Sequence, residues 1–123
     1  MLTDIFVTTY KREDLFLTSF HYLLDSLTDR NGVRITVCVD GGKETKIDNF
    51  VYENCDYLLW NKENIGLGPS INKALAHIST LNNYFDNNKS DFICMLQDDV
   101  TYKKGWLDKL IKVYNLFSAK YKL

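Results

Sequence analysis

The sequence has little of several features that would assign a protein to a class directly. Its 123 residues include one proline and no uninterrupted apolar stretch of membrane-spanning length, so neither a Pro-rich linker nor a transmembrane helix is expected. Fifteen basic residues stand against sixteen acidic ones, without a Lys/Arg-rich block, so the electrostatic footprint of a general nucleic-acid-binding protein is missing. The first four residues, MLTD, lack the basic and apolar regions of a signal peptide, which predicts a cytoplasmic protein.

Cysteine is scarce as well. Cys38, Cys55 and Cys94 are odd in number and show no CxxC spacing, a pattern that indicates reduced core residues rather than zinc ligands. Hydrophobic residues make up 46% of the chain, which at this length is enough for one core but not for two. We therefore expect residues 1–123 to form a single domain.

Short β-rich runs alternate with amphipathic helical patterns along the chain. Such alternation predicts right-handed crossovers and an α/β, three-layer, Rossmann-like fold whose mostly parallel sheet has helices on both faces. We propose the strand order 3-2-1-4, in which the chain reverses direction between strands one and four and opens a crevice there. The predicted strands span residues 5–8, 33–39, 57–60 and 92–97, the predicted helices span 13–27, 45–52, 69–85 and 106–117, and a turn is predicted at 87–90.

Polar residues follow every predicted strand. Because ligands of parallel α/β sheets bind at the carboxyl ends of the strands, these residues are the candidate site. Thr8, Thr9 and Tyr10 follow strand one, Asp40 follows strand two, the loop 64–68 follows strand three, and Asp98 and Asp99 follow strand four.

The residue types at these positions suit a nucleotide diphosphate. Since successive strand residues point to opposite faces, we expect Asp98 and Asp99 to divide their roles, one reaching a metal and the other accepting from a hydroxyl. Magnesium and manganese are often held by one or two carboxylates together with waters and substrate phosphates. Tyr10 offers a face on which a base can stack, and Asp40 offers an acceptor for the ring N–H that uracil and guanine carry.

The order and spacing of these segments resemble the nucleotide-binding half of GT-A glycosyltransferases, especially the family 2 type. Residues 8–12 are similar to the family's opening segment, Asp40 to its carboxylate after the second strand, 64–72 to its Asn-x-Gly loop and helix, and 97–100 to its acid motif. The resemblance implies a UDP-sugar donor, an acceptor that the sequence leaves unknown, and Mn²⁺ or Mg²⁺ on Asp99. The nucleotide-binding residues it implies are Thr8, Thr9, Tyr10, Asp40, Asn64, Gly66, Asn72 and Asp98.

The chain departs from the family at two points. Ile71 stands where many relatives carry a basic residue, and the family's acceptor pocket and catalytic carboxylate base lie beyond the point that corresponds to residue 123. We therefore assign no catalytic base and expect a domain without the usual acceptor half. In the order 3-2-1-4, strand four is an apolar edge strand, which predicts a homodimer or a partner chain along Phe92–Leu96.

Other interpretations stay open at this point. The chain could be a non-catalytic nucleotide-binding protein with a truncated GT-A fold, whereas a dinucleotide-dependent oxidoreductase is disfavoured because Gly66-x-Gly68 follows strand three rather than strand one. Asp residues at strand ends are also common in simple turns. By default we interpret Lys11 and Arg12 as a solvated helix start, His21 and His77 as structural or surface residues, and Trp60 and Trp106 as core.

Overall fold

The sheet has the predicted parallel topology. The computed structural model of the chain describes residues 1–41, 46–84 and 89–121. Its four strands form one sheet in the order β3-β2-β1-β4, with every pair parallel, which confirms the predicted fold class and strand order. The strands are β1 (Thr3–Thr9), β2 (Val33–Val39), β3 (Tyr57–Trp60) and β4 (Phe92–Leu96).

Four helices connect or follow the strands, and two of them begin away from the predicted position. Helix α3 begins at Leu67, two residues before the predicted start, because Pro69 is tolerated anywhere in a first turn, where no intrahelical N–H bond is needed. Helix α2 begins only at residue 49, where the Asp48 side chain accepts a hydrogen bond from the Phe50 amide. The helices are α1 (Glu13–Ser26), α2 (Asn49–Asn54), α3 (Leu67–Tyr84) and α4 (Trp106–Tyr121), with a short 3-10 helix at Arg30–Gly32.

A few predictions fall wholly or partly outside the described residues. These are the first residue of the predicted helix 45–52, the last residue of the predicted helix 69–85 and the first half of the predicted turn 87–90.

The core lies on both faces of the sheet. Alternation along β1 directs Ile5 and Val7 to one face and Phe6 to the other. The larger cluster packs α1, α2 and α4 against the first face, and the smaller one packs Ala74 and Ile78 of α3 around Phe6. Trp60 and Trp106, predicted to be core, are half-buried and pack against the larger cluster.

A buried ion pair joins β1 and β2 at the amino ends of these strands. Asp4 has no exposed surface, and it faces Arg34 in the parallel register. The Arg34 Nε and Nη2 atoms donate to the two Asp4 carboxylate oxygens at 2.7 and 2.6 Å, and Nη2 also donates to Asn82 Oδ1 of α3 at 3.0 Å. β1 therefore begins two residues before the predicted strand, because Arg34 makes burial of Asp4 tolerable.

Candidate functional site

A cavity of about 510 Å³ opens at the carboxyl ends of the strands. All of the residues predicted to bind nucleotide or metal line this cavity except Asn72, which is exposed on α3. Because α3 begins at Leu67, its Ser70 and Ile71 face the cavity, and Asn72 lies about 100° further around the helix. The lining comprises Thr8, Thr9, Tyr10, Arg12, Asp40, Asn64, Gly66, Leu67, Ser70, Ile71, Met95, Leu96, Gln97, Asp98 and Asp99.

The two acidic side chains after β4 converge on one cation. Arg12 Nη1 lies 3.4 Å from Asp98 Oδ1 and 3.0 Å from Asp99 Oδ2. The Thr9 hydroxyl donates to the other Asp98 oxygen at 3.0 Å. The premise that strand alternation separates these two carboxylates is wrong, because β4 ends at Leu96 and both residues lie in a turn at 98–99.

Arg12 reaches the acid pair through an unusual backbone conformation at the preceding residue. Lys11 has a positive φ of 50°, a left-handed conformation that residues other than glycine adopt uncommonly and that often occurs at functional sites. Arg12 follows as the N-cap of α1 but makes no side-chain cap hydrogen bond. Its guanidinium instead contacts the acid pair. Arg12 is therefore the helix start that was predicted, but it also makes ion pairs that the prediction did not include.

Loop 97–105, which carries the acid pair, is anchored to α1. The Ser19 hydroxyl donates to the Val100 carbonyl at 2.6 Å, and the Trp106 indole N–H donates to Ser26 Oγ at 2.8 Å. The Tyr102 hydroxyl donates to the Gln97 carbonyl at 3.4 Å. Burial, together with the nearby Asp99 and Asp98 carboxylates, raises the pKa of Tyr102 to about 12, so this phenol stays neutral and keeps its proton for that hydrogen bond.

Asp40 holds the loop after β3 in place. It is 4% exposed, and its Oδ1 accepts from Asn61 Nδ2 at 3.1 Å and from the Ile65 amide at 2.8 Å. Its Oδ2 accepts from the Gly66 amide at 2.9 Å. A carboxylate has about four lone-pair positions, so a ligand would have only one of them left, on Oδ2.

Asn61 connects Asp40 to helix α3 and is not among the residues predicted to form the site. Besides donating to Asp40, its amide donates to Ser70 Oγ at 3.1 Å, and its carbonyl oxygen accepts from Lys73 Nζ at 2.7 Å. Asn61 is the first residue after β3, so the strand-end rule that identified Asp40 and Asp98 applies to it equally. Its polar contacts fix the position of the first turn of α3 relative to the sheet.

The remaining predicted residues occupy the rim of the cavity. Tyr10 is 38% exposed, with Lys11 Nζ 5.4 Å from its ring centroid. Asn64 Oδ1 accepts from the Gly66 amide at 3.1 Å, and Gly66 has a φ of 94° that L side chains rarely adopt. These contacts account for the conformation of the loop without a ligand. Binding by Asn64 and Gly66 stays a prediction.

Neither histidine lines the cavity. His21 stacks on Phe50 with ring centroids 3.8 Å apart, and His77 lies edge-on to Tyr57 at 4.7 Å. These contacts agree with the interpretation of both residues as structural or surface residues.

The donor set fits a metal only in part. Within the described ranges, no group of three His, Cys, Asp or Glu side chains is placed to hold an ion. Asp98 and Asp99 nevertheless supply two carboxylates, which suffices for Mg²⁺ or Mn²⁺ when substrate phosphates and waters complete the shell. The arrangement therefore suits a metal that binds together with a diphosphate better than a metal that binds alone.

Comparisons with known proteins identify the fold. No protein-family model matches the sequence, and no curated protein matches it. Two solved structures of S. aureus TarS resemble it: one of residues 1–349, with a TM-score of 0.71 and 16% identity, and another with a TM-score of 0.66 and 14% identity. Each match covers 94% of this chain, which spans about a third of the first TarS chain and a fifth of the second.

The likeness shows that this chain shares the fold of that part of TarS, an α/β fold with a parallel sheet in the order 3-2-1-4 and helices around it. At this identity the likeness extends to the fold and does not single out family 2. As for membranes, none of the helices formed by the described residues is long and apolar enough to cross one.

Proposed function

We propose that this chain is the donor-binding part of a metal-dependent glycosyltransferase of the GT-A type, with a UDP-sugar as the favoured donor. The observation that carries the proposal is the convergence of Thr9, Arg12, Asp98 and Asp99 in a cavity between β1 and β4. That position is the topological switch point of the sheet, where open α/β sheets bind their ligands. Transfer to an acceptor, which stays unknown, is part of the proposal.

The acid pair would hold the charged part of the donor. Asp99, which is more exposed than Asp98, would ligate Mn²⁺ or Mg²⁺, and the bound metal would neutralise the leaving diphosphate. Thr9 donates to Asp98 Oδ2 and thereby orients the carboxylate, so one of its remaining lone pairs would accept from a ribose or sugar hydroxyl.

The base would lie at the other end of the cavity, between Tyr10 and Asp40. Tyr10 offers an exposed ring face at the rim, and Asp40 has one acceptor position left on Oδ2. An ionised carboxylate can only accept, so that position favours a base with a ring N–H, as in uracil or guanine. Most of the contribution of Asp40 would be indirect, through the loop that it holds.

The β4 edge belongs to the same proposal. Ile93 and Met95 are 48% and 58% exposed, and β4 pairs only with β1 in the described sheet. Exposed apolar edge strands are normally covered, so we propose that a second copy of the chain or a partner chain lies along Phe92–Leu96. A cytoplasmic location remains a prediction.

A thermal-shift panel tests the proposed function without an acceptor. The chain would be melted with UDP, UDP-sugars, GDP and ADP, each in Mn²⁺, Mg²⁺ or EDTA. A ligand at about a hundred times its dissociation constant adds roughly 2.7 kcal/mol to the free energy of unfolding. Because the proposed site holds the diphosphate through the metal, uridine nucleotides should raise the melting temperature only when metal is present. Equal shifts in EDTA and Mn²⁺ would rule out the metal, and no shift with any nucleotide would rule out donor binding.

Release of sugar from a labelled donor separates an enzyme from a nucleotide-binding protein. Because no catalytic base is assigned, the chain alone should bind the donor and hydrolyse it slowly at most. Metal-dependent binding without any release would favour the non-catalytic alternative.

A further inference from the structure

Arg12, the cation that bridges the acid pair, has to leave when a metal binds the oxygens that it contacts. A single nitrogen of Arg12 contacts both carboxylates, and Thr9 occupies the second oxygen of Asp98. Mg²⁺ lies about 2.0–2.1 Å from its oxygen ligands, which is too close for a guanidinium to share the same oxygens on the same side. Metal binding at Asp99 Oδ2 and the ion pair of Arg12 with that oxygen are therefore mutually exclusive.

Arg12 is also the single basic side chain among the described residues that line the cavity. Ile71 and Leu67 give the α3 side of the cavity an apolar surface rather than a second cationic group. A diphosphate that enters the cavity would therefore form its ion pair with Arg12, whose planar guanidinium can donate two parallel hydrogen bonds to phosphate oxygens.

The Arg12 side chain can move without rearrangement of the backbone. It is 51% exposed and makes no helix-cap hydrogen bond, whereas its carbonyl oxygen accepts from the Phe16 amide at 2.8 Å and anchors the main chain in α1. A change of rotamer is therefore enough to move the guanidinium from the carboxylates into the cavity.

We infer that Arg12 makes divalent-cation binding depend on the nucleotide. Without ligand, Arg12 occupies the acid pair and competes with the metal. When a nucleoside diphosphate enters with the metal, the guanidinium transfers to the phosphates and releases the carboxylates. The inference rests on the proposed function and assigns Arg12 as a positioning residue that couples the two ligands.

Manganese binding to the full chain, followed by the electron paramagnetic resonance signal of free Mn²⁺ with and without UDP, tests this coupling. In the wild type, UDP should tighten Mn²⁺ binding by a factor within the usual range of roughly 5 to 150 for coupled sites. Arg12→Gln should bind Mn²⁺ alone roughly two- to fivefold more tightly than the wild type, the factor expected for removing a partly exposed ion pair. The enhancement by UDP should shrink in this variant.

Three further variants serve as controls. Lys109→Gln removes the same charge from an exposed residue of α4 outside the cavity lining, and it should behave as the wild type. Arg12→Lys keeps the charge without the planar fork, so it should keep Mn²⁺ binding weak while lowering the enhancement by UDP. Asp99→Ala should lose Mn²⁺ binding, and circular dichroism confirms that each variant is folded.

The outcomes separate the inference from the proposed function. Arg12→Gln with unchanged or weaker Mn²⁺ binding in the absence of UDP, or with the full wild-type enhancement, overturns the inference. Wild-type protein that binds no UDP with or without Mn²⁺ overturns the proposed function. In that case, tighter Mn²⁺ binding by Arg12→Gln would still support the competition at the acid pair, although not the coupling.

Discussion

Asp40→Asn distinguishes a residue that organises a loop from one that only reads a base. The carboxylate accepts three hydrogen bonds, from Asn61 Nδ2 and from the amides of Ile65 and Gly66. An asparagine that keeps its oxygen at the Oδ1 position would retain the first two bonds and turn its NH₂ group toward the Gly66 N–H. Two donors would then face each other at a part-buried contact, and the Gly66 N–H would keep only its bond to Asn64 Oδ1.

The size of the effect follows from this loss. Removing one hydrogen bond to a charged group costs roughly 1.5–3 kcal/mol. Part of that cost is offset because the neutral asparagine avoids the desolvation penalty of a buried carboxylate. We expect the free energy of unfolding to fall by about 2 kcal/mol in the absence of any ligand. Urea denaturation measures it, with an unchanged m-value showing that the change lies in stability alone.

Asp48→Asn is the matched control for this substitution. Asp48 caps α2 by accepting from the Phe50 amide at 2.8 Å, and asparagine is as good an N-cap as aspartate, so the control should change stability by less than about 0.5 kcal/mol. If ligand-free Asp40→Asn is as stable as the wild type, the loop-organising role is refuted.

The nucleotide affinity of Asp40→Asn should also fall by roughly 1–3 kcal/mol. ADP binding as tightly as UDP to the wild type would contradict base reading by Asp40.

Four other substitutions test separate parts of the structure. Asp99→Ala should abolish most of the metal-dependent thermal shift with UDP, whereas Asp98→Ala should weaken binding with less effect on the metal requirement; the reverse pattern would exchange their roles. Ile93→Lys places a charge on the exposed apolar edge, so it should shift light-scattering mass from above monomer to monomer, and a monomeric wild type would contradict self-association. Burial and the positive charge of Arg34 lower the pKa of His77 from 6.5, so the unfolded chain takes up the proton first as the pH falls. Stability should therefore decrease below about pH 6.5, and this decrease should be smaller in His77→Phe; identical pH slopes in the two proteins would refute it.

The β4 end shows how far sequence patterns reach at the site. The apolar run that precedes Asp98 and Asp99 identifies the acid pair, although the predicted strand ends at residue 97 and the observed one at Leu96. Alternation separates neighbouring side chains only within a strand. Asp98 and Asp99 lie beyond both the predicted and the observed end of β4, in a turn that brings them together on Arg12. Element boundaries depend on which backbone groups find partners in the folded chain, and hydrophobic patterns carry little information about that.

The sequence by itself determined the α/β class, the parallel order of the strands and the membership of most of the cavity. The hydrophobic periodicity that marks a strand or a helix lies within a single segment, so it can be read from the sequence. Right-handed crossovers then leave few ways to arrange these strands in one sheet. Because carboxyl ends of parallel strands meet at one edge, residues distant in the chain could be grouped without knowing any side-chain position. Asp40, Asp98 and Tyr10 were placed together in this way.

Only the tertiary structure decided what those residues contact. Arg12 lies 86 and 87 positions from its two carboxylate partners, and Asp40 lies 21 to 26 positions from the groups that donate to it. Burial of Asp4 likewise depends on Arg34 in the neighbouring strand. Such pairings follow from how rotamers and loops settle once the helices have packed on the sheet, and a hydrogen bond forms or fails over a few tenths of an ångström, a precision that no local pattern of residues contains.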